Sequence, residues 1–492
     1  MKKSGITLKA RLVAMILAML CAAALFAGCA KHRGNGDGST TAAGDSTAPA
    51  TPDTTADIYE KDDLPETIDL NEKVTILYGE DAENVEFFAS EDASDSVEFA
   101  IKNRNSRVEK RLNVEMDFVG TPGNYNNRAK FEQVVSADFM SGKTYDIFAA
   151  YSMSVANCAY SGYCANLLDY SVINFEKPWW PRKLTSEALI NGKLYLASGD
   201  ISTNMLYMMY VMYFAKQLVT NNNLENPYDL VDAGTWTIDK MVEMAETFRS
   251  DLDDDNKIYG LATSSNVHYD PFFYGAGLRT IDKDASGQLI VSELFGGEKA
   301  VNTATKMTNF LNGGLCTDKK GNVLFRDGRA LFSVSRARYA SQELSDTDIG
   351  FGVIPMPKYE TDQEGYSTCL GFPYTLYAIS AGSSHAEAAA YLLEALASEG
   401  YRTVTPALFE VSMKVRYVDD PTAARMFDIV RDSVSFDVGR IFTSSLSNYP
   451  FKIFRDSLTN NESYASNFTR SQAPLKAALK KFNAQFDKIA NQ

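Results

Sequence analysis

The sequence predicts an α/β protein whose body folds as two lobes, and three observations carry this. From about residue 65 to Gln492 the chain runs for more than 400 residues, beyond the roughly 250–300 at which a single hydrophobic core stops growing. The first part of that body alternates strand-patterned and helix-patterned segments, the signature of an open parallel sheet. Residues 205–214, Met-Leu-Tyr-Met-Met-Tyr-Val-Met-Tyr-Phe, are the most apolar run of the body. They are too few and too rich in tyrosine to span a bilayer, so they read as a buried strand crossing between lobes.

The elements follow in order. Residues 74–78 form a short apolar strand. Residues 94–113 place Val97, Ile101, Val108 and Leu112 on one helical face, the spacing of an amphipathic helix. Val114, Met116 and Phe118 then alternate with Glu115 and Asp117, the period of a strand. A second helix uses Phe131, Val134, Val135 and Phe139 and stops at Gly142, and residues 145–150 form a third strand. A βαβαβ unit binds ligands beyond the carboxyl ends of its strands, so the loops after Tyr78 and Ala150 should face a cleft. Thr237 caps a later helix with Asp239 in its first turn and Met241, Met244, Ala245 and Phe248 inward. Residues 330–335, 348–354 and 374–381 read as strands, the second ended by Pro355 and Pro357. Ser384 and Glu387 make a capping box for a helix running to Gly400, and the last ninety residues are mainly helical.

Ahead of the body, a basic start (Lys2, Lys3, Lys9, Arg11) precedes an apolar run that closes Leu25-Phe26-Ala27-Gly28-Cys29. The run suits an export signal rather than a membrane span. Its end resembles the lipobox of bacterial lipoproteins, in which the cysteine is joined to diacylglycerol, with Phe26 where an aliphatic residue is usual. The resemblance implies a signal over 1–28 and lipidation of Cys29. Residues 30–60 are almost entirely Gly, Ser, Thr, Ala, Asp and Pro, a composition that buries no core. Residues 29–64 are therefore expected to form a lipidated tether with a reach of roughly 30 Å.

The formal net charge is −15, with the basic leader included. Such a chain is a poor partner for nucleic acid or for anionic lipid, so membrane contact is expected through the lipid anchor alone. Four cysteines remain in the body, Cys158, Cys164, Cys316 and Cys369, with no CxxC pair. Either a Cys158–Cys164 bridge or two buried thiols fits. His268 and His385 are the body's two histidines, which argues against a catalytic triad or a histidine metal site.

Several segments then point to a family. They are Gly234-Thr235-Trp236-Thr237 opening a helix, Tyr259-Gly260-Leu261, and Phe325-Arg326-Asp327-Gly328-Arg329-Ala330-Leu331-Phe332, followed by Gly350-Phe351-Gly352-Val353-Ile354-Pro355-Met356-Pro357. Their order and spacing resemble the extracellular solute-binding proteins of family 1, the family that includes maltose-binding protein. The resemblance implies the type II periplasmic-binding-protein fold, two α/β lobes with a hinge and an interlobe cleft. Mapped here, the N-terminal lobe takes 65–204 plus 357–400 and the C-terminal lobe 205–356 plus 401–492. It also implies a monomeric binding protein without cofactor that hands its solute to the permease of an ABC transporter.

Sugar clefts pair aromatic faces with polar groups for hydroxyls. Trp179 and Trp180, set between Pro178 and Pro181 in a loop, are candidate stacking platforms, whereas Trp236 reads as core. Tyr78, Tyr151, Tyr274, Tyr339 and Phe372 lie near predicted strand ends, and Glu80, Asp81 and Arg336 are candidates for hydroxyls. An oligosaccharide is the favoured solute, with peptides and other polar molecules open. Asp282 to Glu293 satisfies the spacing of a calcium loop, yet no helical pattern flanks both ends, so a turn between strands is preferred and no metal is expected. Two rival functions stand: a secreted glycoside hydrolase, which needs two placed carboxyls, and a solute-sensing receptor subunit.

Overall fold

The computed structural model describes residues 59–82, 86–90, 95–253, 256–345, 347–409 and 421–491. The leader, Cys29 and most of the tether lie outside these residues. Eleven strands occur among them. In chain order they are β1 (Glu72–Gly79), β2 (Val114–Thr121), β3 (Ile147–Tyr151), β4 (Tyr210–Ala215), β5 (Tyr259–Ala262), β6 (Ile281–Lys283), β7 (Leu289–Val291), β8 (Cys316–Thr317), β9 (Ala330–Arg336), β10 (Phe351–Ile354) and β11 (Thr375–Ile379).

The first sheet has the order β11-β3-β1-β2. β1 runs parallel to both neighbours, and β11 joins antiparallel with Thr375 opposite Tyr151. Val74, Leu77, Phe148 and Ala149 are fully covered, as strands of a sheet clad on both faces must be. Helix Ser96–Leu112 starts where the Asp95 carboxylate accepts from the N–H groups of Val97 and Glu98. It ends at Asn113, whose left-handed backbone turns the chain into β2. The second sheet has the order β10-β4-β9-β5-β8. There β4 lies antiparallel to β10 and β9, and β5 parallel to β9 and β8.

Two chain segments pass between the lobes side by side. The Gly371 N–H donates to the Met208 carbonyl at 2.8 Å, and the Tyr210 N–H to the Cys369 carbonyl at 2.9 Å. The last helix, Tyr464–Ala490, touches both lobes. Phe482 stacks on Tyr160 at 5.5 Å, while the Asn483 amide donates to the Leu289 carbonyl at 3.0 Å. No helix of the described residues is long and apolar enough to cross a membrane.

Local expectations differ from the structure in two places. The run 205–214 begins as a helical turn, Thr203–Tyr207, because Ser202 caps it through the Met205 N–H; its strand starts only at Tyr210. The Ser384–Glu387 box does not form. Instead the Ser383 hydroxyl accepts from the His385 N–H and donates to Asp146, so helix Ala386–Glu399 begins without a side-chain cap. The segment with calcium-like spacing is the β6–β7 hairpin. In its turn Asp284 accepts from the Ser286 and Gln288 N–H groups, and Asp282 pairs with Arg279 at 2.7 Å, so the carboxylates of the calcium-like spacing serve the turn. Cys158 and Cys164 are free, buried thiols, and burial raises both above the usual thiol range.

Candidate functional site

The carboxyl ends of β1 and β3 open onto a cavity of about 250 Å³, lined among others by Asp81, Asn124, Tyr125, Tyr151, Pro373 and Thr375. Asp81 organises it. Its carboxylate accepts from the N–H groups of Gly123 at 2.6 Å and Asn124 at 2.7 Å, and from the Asn127 amide at 2.8 Å. Burial alone would raise this carboxyl, but the hydrogen bonds outweigh it and hold Asp81 below the usual carboxylate range. Gly123 is needed for the close approach: a Cβ there would lie 3.1 Å from the Gly79 Cα and 3.2 Å from the Phe131 ring.

The loop so fixed presents an aromatic wall. Tyr125 and Tyr151 have ring centroids 6.3 Å apart, and the Arg128 guanidinium lies 4.1 Å over the first and 6.0 Å from the second, within cation–π range. Burial raises the Tyr151 phenol far above its ordinary value, so it stays a neutral group that both donates and accepts. Among the described residues, Asp81 is the one acid lining the cavity. Being ionised, it cannot act as the protonated partner of the carboxyl pair that glycoside hydrolysis requires.

The second lobe meets this wall at the hinge. Arg336, ending β9 opposite Tyr210, packs so closely on the crossing segment that a Cβ at Gly371 would meet its Nε at 2.9 Å. The Arg440 guanidinium lies 3.9 Å over the Phe372 ring and donates to the Leu370 carbonyl at 3.2 and 3.0 Å. Behind it, Asp270 accepts from Arg440 at 2.9 Å and from Arg455 at 2.8 Å. Burial would raise Asp270, but Arg455 and Arg440 prevail and keep it below the usual range. His268, beside this group, is pushed down to about 3 by burial and by Arg336, and so is neutral.

Of the residues named from sequence, Asp81 and Tyr151 lie in the cavity wall, and Arg336 and Phe372 stand on its hinge side. Tyr78 lies behind it in an aromatic cluster with Phe87, Phe88 and Phe118. Glu80 is exposed beside Gly120 and the Tyr78 hydroxyl, outside the wall. Four placements are corrected by burial. Trp179 and Trp180 are 0% and 2% exposed, and the Trp180 indole donates to Glu394 at 2.8 Å. Tyr339 is core, its hydroxyl donating to the Asn322 carbonyl at 2.7 Å. Tyr274 is covered and sits 5.4 Å from Arg440. Tyr125, Arg128 and Arg440 escaped the sequence analysis. The motif Gly123-Asn-Tyr-Asn-Asn directly after β2, at a strand's carboxyl end, was the available signal for the first two. Arg440 had none.

The arrangement is that of the type II periplasmic binding proteins, two α/β lobes joined at a hinge around a cleft. No family model matches the sequence, and no curated protein matches it. Solved structures do. The cyclic α-maltosyl-1,6-maltose binding protein of Arthrobacter globiformis superposes with a TM-score of 0.59 at 15% identity, over 83% of this chain and 99% of that one. The galacto-N-biose/lacto-N-biose I-binding protein of the ABC transporter from Bifidobacterium longum, in complex with lacto-N-biose, gives 0.57 at 13% identity, over 85% and 99%. UgpB of Mycobacterium tuberculosis, in complex with glycerophosphocholine, gives 0.55 at 15% identity, over 78% and 95%. The first two are named as binding proteins.

Proposed function

We propose that this protein is a monomeric solute receptor, tethered through a lipid on Cys29 to the outer face of a bacterial cytoplasmic membrane, that delivers an oligosaccharide to an ABC importer. The observation that carries the reading is the cavity at the ends of β1 and β3, lined by Tyr125 and Tyr151 together with Asn124, Thr375 and Asp81. Ring faces suit the C–H side of a pyranose, and the polar groups suit its hydroxyls. The likeness to sugar-binding receptors supports the same solute class. Contacts from both lobes stabilise a closed state that the open state cannot match, which is how binding drives closure.

A thermal-shift panel of oligosaccharides, with peptides for comparison, tests it. A solute at one hundred times its Kd stabilises by about 2.7 kcal/mol. Shifts with peptides and with no glycan would remove the substrate class. Turnover of any glycan in the panel would replace the receptor with a hydrolase.

A further inference from the structure

Resting on that receptor reading, we propose that Glu86 is a positioning residue that carries solute binding from the cavity wall to the hinge. Glu86 is fully buried. It belongs to the connection between β1 and helix Ser96–Leu112, and its neighbour Phe87 lines the cavity. Burying a carboxylate is tolerable only where its oxygens are bonded, so the partners of Glu86 show what it holds together.

Those partners lie on the hinge. One carboxylate oxygen accepts from the Ser202 hydroxyl at 2.8 Å, the Asn204 N–H at 2.8 Å and the Thr203 hydroxyl at 3.3 Å. These residues open the turn Thr203–Tyr207. The turn runs straight into the paired crossing, where the Met208 carbonyl accepts from the Gly371 N–H. The other oxygen accepts from the Tyr377 hydroxyl of β11 at 3.3 Å. Arg104 completes the hub, its guanidinium donating to Asn105 at 3.0 Å, to the Ile201 carbonyl at 3.1 Å and to the Glu86 carbonyl at 3.2 Å. The Asn105 amide donates to the Phe87 carbonyl at 2.7 Å, and the Asn204 amide reaches the Thr375 hydroxyl at 3.4 Å.

Two residues of the cavity lining, Phe87 and Thr375, are thereby tied to the first turn of the hinge. Filling space at this place would need only an apolar side chain, which costs less to bury than a carboxylate beside a guanidinium. What the carboxylate adds is a set of directed bonds between the wall and the turn. Residues 202–204 are held to the first lobe, so bending is confined to the chain after Asn204. A shift of Phe87 or Thr375 on solute binding then reaches the crossing segment instead of being absorbed in a loop.

The test is single-molecule energy transfer on the full chain in detergent. Dyes are joined to azido residues introduced at Lys110 on helix Ser96–Leu112 and at Thr305 on helix Glu298–Asn312, both exposed. Without solute, Glu86→Ala should widen the distribution of interlobe distances about twofold, because the hinge loses its single bending point. Glu86→Gln, which keeps an acceptor for the turn, should restore the parent's width. Leu112→Ala, a core truncation outside the hub, should lower the urea midpoint and leave the width unchanged, so lost stability alone does not mimic the effect. Ser202→Ala removes one bond to Glu86 and serves in place of Glu86→Ala should that variant not fold; it should widen the distribution about half as much. With maltotetraose and lacto-N-biose as probes, a sugar that binds the parent should bind Glu86→Ala about tenfold more weakly, as a tenfold smaller competent fraction requires. An unchanged width or affinity in Glu86→Ala, or a width in Leu112→Ala or Glu86→Gln as large as its own, overturns the proposal. Widths that change as stated while only peptides bind would keep the proposal and remove the oligosaccharide.

Discussion

Trp179 and Trp180 occupy a proline-bounded segment and are 0% and 2% exposed, whereas Tyr125, in a run of asparagines, is 58% exposed. Both segments are loops that carry aromatic rings. At the tryptophan corner Phe175 lies 5.4 Å from Trp180 and Tyr401 lies 6.0 Å from Trp179. The Asp200 N–H donates to the Trp179 carbonyl at 3.0 Å, and Gly199 approaches that carbonyl so closely that no larger residue fits. Tyr125 has one neighbouring ring and an arginine. The difference teaches that a ring in a loop is buried when the fold supplies packing for it, and at Trp180 a partner for its polar atom as well. Glu394, on the facing helix, is what admits Trp180.

The largest effect that would break this comparison follows from Trp180→Ala. Removing a fully buried indole should cost about 3–5 kcal/mol, read as a lowered urea midpoint. Solute affinity of the remaining folded protein should stay within about twofold. A variant that keeps its stability and loses affinity instead would return the corner to the binding site.

Glu394 sharpens the same point through pH. Burial, opposed by the Trp180 hydrogen bond, pushes its carboxyl up to about 7. The folded value lies above the unfolded one, so the folded state holds the proton more tightly. Stability is full below the unfolded value near 4.5 and is lost as pH rises through about 7. At 1.36 kcal/mol per pH unit the total is about 3 kcal/mol. Asp200, buried beside Arg431 and Thr405 and pushed up to about 6, adds a dependence of the same sign. Glu394→Gln should therefore flatten the slope in urea titrations between pH 5 and 8. An unchanged slope would mean that Glu394 is ionised in the folded state.

This contrast also marks what the sequence disclosed. Periodicity showed β2 and helix Ser96–Leu112 because each buries one repeating face, as Val97, Ile101, Val108 and Leu112 do, while β1 and β3, buried on both faces, showed as short apolar runs. Asp81 and Tyr151 were legible for a related reason, since strand ends in a parallel sheet have a fixed functional direction. Trp179, Trp180 and Tyr339 misled because burial of a loop residue depends on partners far along the chain, such as Glu394, which no local pattern announces. Arg440 is the converse. It lies over the Phe372 ring only because Asp270, 170 positions away, and Leu370 hold it there.

Asp81→Ala tests the cavity side at intermediate size. It removes the acceptor for two backbone N–H groups and the Asn127 amide. In a partly exposed loop this should cost about 1–2 kcal/mol and weaken solute binding by about tenfold through loss of loop order. Unfolding curves and calorimetry on one preparation separate the two. Loss of stability with unchanged affinity would show that the loop does not touch solute.

The smallest stability effect belongs to Tyr125→Ala, and it is the most discriminating. Its ring is mostly in solvent and its main neighbour is the Arg128 guanidinium at 4.1 Å, so truncation should change stability by no more than about 0.5 kcal/mol. If the ring stacks on solute, the same change removes a contact of about 0.5–1.5 kcal/mol and lowers affinity roughly three- to tenfold. Tyr125→Phe should restore it, since the face and not the hydroxyl makes the contact. Trp180→Ala and Tyr125→Ala thus predict opposite pairings of stability and affinity from two aromatic loop residues. An affinity that ignores Tyr125→Ala would place the solute away from the β2 loop and toward the Arg336–Phe372 side of the cleft.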